Sequence, residues 1–285
     1  MMRSMYAAIS GLKVHQTMLD VTSNDIANVN TLGFKSQRTT FKDSLSQLQR
    51  GGAAPNAQQG GSNAIQVGLG VQLSSIDNNM QGGAMQSTGN PLDVALQGEG
   101  WFRVSGGNPP APAAGAYNPP IGTGNQVQYT RAGNFSRNQE GYLVTQDGQY
   151  VIARNGATGA DSFVNIPNGA TNMSIGQDGS ISFDAPNGGG RATAGYLSLA
   201  KFANEGGLER ISSNRWSASA ASGTEAVGLA GGGYALMNPG MVEMSNVDLA
   251  QEFTNMITAQ RGFQANSRVI SAADPMLAQL VNLTR

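Results

Sequence analysis

The feature that most constrains this chain is a pair of seven-residue apolar rows, one at each end of the sequence. Met5, Leu12, Leu19 and Ile26 recur at that spacing in a proline-free stretch from Arg3 to Val29, with Ile9, Val14 and Val21 beside them. Apolar residues at a helical period predict one amphipathic helix, and about 27 residues at 1.5 Å rise make a rod roughly 40 Å long. Asn28-Val29-Asn30-Thr31-Leu32-Gly33 follows, with the Asn and Gly chemistry that ends helices. At the other end Leu249, Met256, Phe263, Ile270 and Leu277 fall seven apart, flanked by Phe253, Ile257, Leu280 and Val281. Ser245 or Asn246 is suited to cap this second helix ahead of Val247. Pro275 interrupts it. An interior proline costs about 3 kcal/mol, so a kink is expected there, or a new short helix capped by Asp274.

Spacing alone fits an ordinary core-facing helix better than an oligomerisation surface. The balance shifts because termini fray unless tied down, and here they are the most regularly patterned parts of the chain. A helix with a narrow apolar row is marginal alone in water, so both rows call for partners, in this chain or in another copy.

The middle has a different period. Gln139-Glu140-Gly141-Tyr142, Gln146-Asp147-Gly148-Gln149 and Gln177-Asp178-Gly179-Ser180 carry acidic-Gly pairs suited to hairpin turns. The pieces Tyr142 to Thr145, Tyr150 to Ala153, Ser180 to Phe183 and Tyr196 to Phe202 have the β-branched and aromatic content of strands. Gly51 to Asn63 and the Pro/Gly-rich Gly106 to Asn125 read as loops. The expected fold class is α+β. Terminal helices form a coiled-coil-like domain from residues 1–33 and 246–285, 34–74 is a linker or extended segment, and a mainly antiparallel β-domain occupies 75–245, with an irregular insertion near 106–125.

Composition narrows the function classes. Charged residues make up 12% of the chain and the formal net charge is −1, without a Lys/Arg cluster. The electrostatic footprint of a nucleic-acid or anionic-membrane binder is missing. There is no cysteine, which removes thiol nucleophiles, thiolate ligands and disulfides together. No stretch approaches the roughly 20 apolar residues of a membrane span. Lys13, His15, Gln16 and Asp20 interrupt any secretory h-region, so ordinary rules predict a cytoplasmic chain.

Catalysis has little material. His15, the single histidine, lies in the N-terminal heptad, where a packed or solvated helical role outweighs a catalytic or metal-binding one. No phosphate loop occurs, and Gly68-Leu69-Gly70 and Gly98-Glu99-Gly100 lack the third glycine of a dinucleotide fingerprint. Asp93, Glu99, Asp147, Asp161, Asp178 and Asp184 would have to converge to form a carboxylate pair, and most sit in turns that explain them structurally. The expectation is no enzyme, no cofactor and no catalytic, cofactor-binding or metal-ligating residue.

Several runs resemble a known family. Ser10-Gly11-Leu12, His15-Gln16-Thr17-Met18-Leu19-Asp20-Val21 and Asn24 through Lys35 resemble the N-terminal signature of flagellar rod and hook proteins. Glu243 through Leu249, Glu252 through Ile257 and Gln260 through Arg268 resemble the matching C-terminal signature. Asn90 through Phe102 and Tyr129 through Phe135 resemble the opening of that family's β-domain. Arg261 through Arg268 and the ending Leu280 through Arg285 are more hook-like than rod-like; Asp25 and Pro275 stand where the family commonly has Asn and Glu.

The resemblance implies a structural subunit of the bacterial flagellum, first of the hook and alternatively of the distal rod, exported unfolded by the flagellar type III apparatus without a cleaved signal. That reverses the cytoplasmic expectation and places the chain outside the cell. It further implies a helical homopolymer, with the terminal helices as its inner layer and the β-domain outside, meeting neighbouring rod, hook-cap and junction proteins. Nucleic acid and membrane insertion are not expected. The expected assembly interface is Met5, Leu12, Leu19, Ile26, Leu249, Met256, Phe263, Ile270 and Leu277. A secreted β-rich adhesin is a competing class that leaves the paired heptads unexplained.

Overall fold

The computed structural model describes residues 2–54, 60–107, 119, 126–155, 159–186 and 190–283, without the side chains of 277, 278 and 280–283. The expected insertion near 106–125 falls almost wholly outside these residues, as does part of the loop at 51–63. The architecture is α+β, with helix α1 (Met2–Ala27), an antiparallel β region, and helix α2 (Leu249–Leu283). By internal contacts the chain forms two units. One gathers residues 1–27, 36–79 and 247–285; the other comprises 28–35 and 80–246.

In the first unit α1 and α2 pack side by side. The segment 34–74, read from sequence as extended, forms strands that pair Gln37–Asp43 with Val71–Asn78, which continues past it, and Ser46–Arg50 with Ile65–Gly68. Helix α1 stops at Ala27, directly before the Asn28 to Gly33 run expected to end it. Two local details of α2 differ from the sequence expectation. The cap of α2 is Asp248 rather than Ser245 or Asn246: its Oδ1 accepts from the Ala250 N–H at 2.9 Å and the Gln251 N–H at 3.3 Å. Pro275 neither ends α2 nor starts a new helix. The carbonyl left without a donor belongs to Ser271, which is exposed, so water can satisfy it.

The second unit is built on one sheet. Its main path runs Thr171–Ile175, Ser180–Asp184, Arg191–Leu197, Tyr150–Arg154, Trp101–Ser105, Val127–Thr130, Arg215–Ser217, Glu209–Arg210. Trp101–Ser105 is the hub. One edge pairs Phe102 with Thr130, and the other pairs Phe102 with Leu199 and Val104 with Val151. All five hub residues are buried. The hairpin turns fall where the acidic-Gly pairs predict them, with Gly148 at φ +75° and Gly179 at φ +80°, left-handed values that a side chain would strain.

A main apolar core includes Val94, Phe102, Leu143, Ile181, Phe183 and Leu197. A separate cluster holds Trp101, Tyr129, Ala200, Phe202, Leu208 and Trp216, with the two indoles edge to face at 5.7 Å between centroids. Such an arrangement adds about 0.5–1.5 kcal/mol beyond area burial.

Candidate assembly interface

The helix pair is antiparallel, and its seam is made of small residues. A side chain built on Gly11 would lie 2.7 Å from Asn266 Nδ2, and one on Gly262 would lie 2.5 Å from the His15 ring. Four residues forward on α1 therefore match four backward on α2. Ala8, Gly11, Val14, Thr22 and Asp25 are buried on α1, and Ala259 and Ala273 on α2. Ala259, Asn266 and Ala273 fall seven apart, so the heptad that closes the pair is one of small side chains that let the axes approach. His15 packs beside Gly262 and meets Phe41 edge to face at 6.3 Å, the packed role expected of it. Asp25 Oδ2 accepts the Gln37 N–H at 2.8 Å and ties the end of α1 to the first strand.

The large apolar residues lie elsewhere. Met5, Leu12, Leu19 and Ile26 are half-buried, as are Met256 and Ile270. Leu249 and Phe263 are exposed, and the Leu277 side chain lies outside the described residues. Phe253, Ile257, Val269 and Met276 are exposed as well, Ile257 to 57%. Thus α2 already has its partner along the small-residue row and still presents six large apolar side chains to solvent. Burying such a side chain from full exposure is worth about 1.5–3 kcal/mol, and covering what is left exposed here contributes roughly half of that. The small-residue row was in the sequence at 3-4-7 spacing, but a search for bulky apolar residues passes over Ala, Gly and Asn.

The second unit has a polar centre that the sequence reading did not single out. Lys35 Nζ meets Glu243 Oε1 at 2.6 Å and donates to the Gln81 carbonyl at 2.8 Å, with both side chains essentially inaccessible. Arg131 Nη1 lies 3.6 Å from the other Glu243 oxygen, and its guanidinium stands 5.2 Å from the Trp101 ring centroid. Burial pushes the Lys35 ammonium below its usual range, and Glu243 opposes that shift. Burial also raises the Glu205 carboxyl, which accepts from Trp101 Nε1 at 3.3 Å.

The other carboxylates are held by cations or polar side chains, and two of them meet on one arginine. Arg103 holds Glu225 through two bonds of 3.1 Å and Asp161 at 2.7 Å. Asp93 accepts from Thr88 and Asn90, Glu99 pairs with Lys201, Asp178 with Ser180 and Asp184 with Asn172. Among the described residues no group of three or more His, Asp or Glu is placed to hold a metal ion, and no helix is long and apolar enough to cross a membrane. A shallow cleft of about 390 Å³ is lined by Gln86, Thr88, Asn90, Asp93, Asn134 and Gln146, with Leu32, Phe135 and Val242 among its apolar neighbours.

Comparison with known proteins fixes what these helices belong to. The chain is similar to the flagellar basal-body rod protein FlgG of Bacillus subtilis, 46% identical over 288 residues and covering all of both chains. It belongs to the flagellar rod and hook protein family. Three family models match along it: a flagella basal body rod protein model over residues 5–35, a flagellar hook protein FlgE/F/G D1 domain model over 121–183, and a flagellar basal body rod FlgEFG protein C-terminal model over 238–283. The terminal models contain α1 and α2 almost entirely. The chain is thus a structural protein of the bacterial flagellum.

Within the family the relatives do not favour the hook. FlgG of Agrobacterium fabrum is 37% identical over 281 residues, covering 96% of this chain and 97% of its own. The flagellar hook protein FlgE of Borreliella burgdorferi is 27% identical across an alignment of 441 residues that covers 99% of this chain. An alignment so much longer than the chain means that the hook relative carries sequence this chain lacks.

Proposed function

We propose that this flagellar protein is a structural subunit of the distal rod, polymerising into a hollow helical assembly, and that the hook preferred from its terminal motifs gives way to the rod. The observation that carries the assembly is on α2: Leu249, Phe253, Ile257 and Phe263 on one side of the small-residue row, and Val269 and Met276 on its other side, stay exposed although that row already holds α1. A head-to-tail contact that does not close builds an open filament. Met5, Leu12, Leu19 and Ile26, with Leu249, Met256, Phe263, Ile270 and Leu277, contribute to the seams between copies. Support for rod over hook comes from the end-to-end match in length to relatives that bear rod names, against the inserted sequence of the hook relative.

On this reading the subunit is exported unfolded by the flagellar type III apparatus without a cleaved signal and lies outside the cytoplasm. It touches further copies of itself and neighbouring rod and junction proteins, and catalyses nothing. Electron microscopy of cells lacking the protein tests it. Basal bodies that stop short of the outer rod are expected; a complete rod without a hook would return the hook assignment, and normal flagella would refute both.

A further inference from the structure

Glu243 lies 208 positions after Lys35, yet the short segment around it is stitched to two other pieces of the second unit at once. Its carbonyl accepts the Gly33 N–H at 2.8 Å, and the Asn246 N–H reaches the Phe34 carbonyl at 3.4 Å. On the other side the Met244 N–H donates to Ala84 at 2.9 Å, the Gly83 N–H to Glu243 Oε1 at 3.0 Å, and Asn246 Nδ2 to the Gln81 carbonyl at 3.0 Å. A Cβ on Gly83 would run into the Met244 carbonyl, so only glycine admits the segment there. Residues 33–35, 81–84 and 243–246 thus close as one three-way joint.

That joint lies against the tryptophan cluster. Phe34 and Trp216 both lie against the Arg210 guanidinium, 4.6 and 4.9 Å from their centroids, and Arg210 also donates to the Lys35 carbonyl at 2.7 Å. Lys35 and Arg131 are both buried, Arg131 over the Trp101 ring, and the carboxylate in contact with both cations is Glu243. A buried charge whose partner is removed is strongly destabilising. A chain grows from its N-terminus, so every residue from 80 to 240 is present before Glu243 is.

We propose that the Lys35–Glu243–Arg131 joint is a folding latch: the β-rich unit closes only when the segment 243–246 docks, which keeps the chain open until its C-terminal connection is available. This rests on the reading that the chain is exported unfolded, because an unlatched chain stays fit for a narrow channel. The latch places Glu243 in the folding transition state, so its loss slows folding rather than speeding unfolding.

The test is stopped-flow refolding and unfolding of the purified full chain. The fluorescence of Trp101 and Trp216, the two tryptophans of the sequence, reports closure at the joint. E243Q is expected to refold about 10-fold or more slowly, with unfolding changed less than about 2-fold. Adding K35M is expected to recover most of the lost rate, because one cation no longer needs neutralising and Arg131 still faces Glu205. Unchanged refolding with faster unfolding would overturn the latch. If E243Q does not refold at all, K35M/E243Q decides: recovery supports the latch and continued failure refutes it. Export of the wild-type chain from flagellated cells is assayed separately; its failure would refute the export reading and leave the refolding rates untouched.

Discussion

The two units solve the same problem in opposite ways. Among the described residues, every exposed large apolar side chain except Met85, Ile211 and Leu236 belongs to the helical unit, where the buried apolar residues are Ala8, Val14, Ala259 and Ala273. In the β-rich unit Trp101, Phe102, Ile152, Phe163 and Met237 are fully enclosed. One unit completes its core within the chain; the other buries little more than alanine and glycine and leaves Phe and Ile to solvent. Exposed apolar faces of that extent mark interaction surfaces. The contrast is between a core closed within the chain and a helix pair that leaves its large apolar side chains exposed.

The comparison can be broken most decisively in the β-rich core. Phe102→Ala removes a ring that meets Phe135 edge to face at 5.1 Å. It should cost about 3–5 kcal/mol, read as a lower urea midpoint of tryptophan fluorescence with the helical circular dichroism less affected. A similar loss of both signals would show that the units do not differ in this way. Gly11→Leu comes next. It drives a large side chain into Asn266, and overpacking costs about 1–3 kcal/mol. Helical signal should melt earlier while the tryptophan transition stays in place.

A smaller effect concerns pH. Burial holds the Glu205 carboxyl above its ordinary value of 4.5, with Arg131 pulling the other way. Between that ordinary value and the raised one, the folded chain binds more protons than the unfolded chain. Stability of the β-rich unit should therefore fall as pH rises through this window, and the penalty persists above it. Glu205→Gln should abolish that slope and modestly raise stability at neutral pH, measured by thermal melts across the acid range. The smallest effect is the most telling: Ile257→Ala, on a side chain 57% exposed, should leave subunit stability within about 0.5 kcal/mol and still impair flagellar assembly, scored by motility.

How much was legible in the sequence follows from what each region depends on. The helices announced themselves through a seven-residue period, and Gly148 and Gly179 marked hairpin turns because their backbone conformations exclude most other residues. The seam was harder. Gly11, Gly262 and Asn266 join α1 to α2 through lack of bulk, and a pattern read for bulk points to Met256 and Phe263 one face over. The joint of Lys35, Arg131 and Glu243 has no local signal, since its three charges come from segments far apart and only the fold brings them together. Both residues of its closest pair fall inside the family-like runs, so the resemblance pointed at them without giving the reason. The lengths of the relatives favour rod over hook, a comparison that a match of terminal motifs does not make.

The central claim is that the exposed face of α2 is covered by neighbouring copies. The chain has no cysteine, so I257C can be labelled with a maleimide against a clean background, with D147C in the hairpin turn of the β-rich unit as the reference site. The account predicts fast labelling of I257C in the dilute subunit and strong protection in purified basal bodies. Equal reactivity in the two states would contradict it.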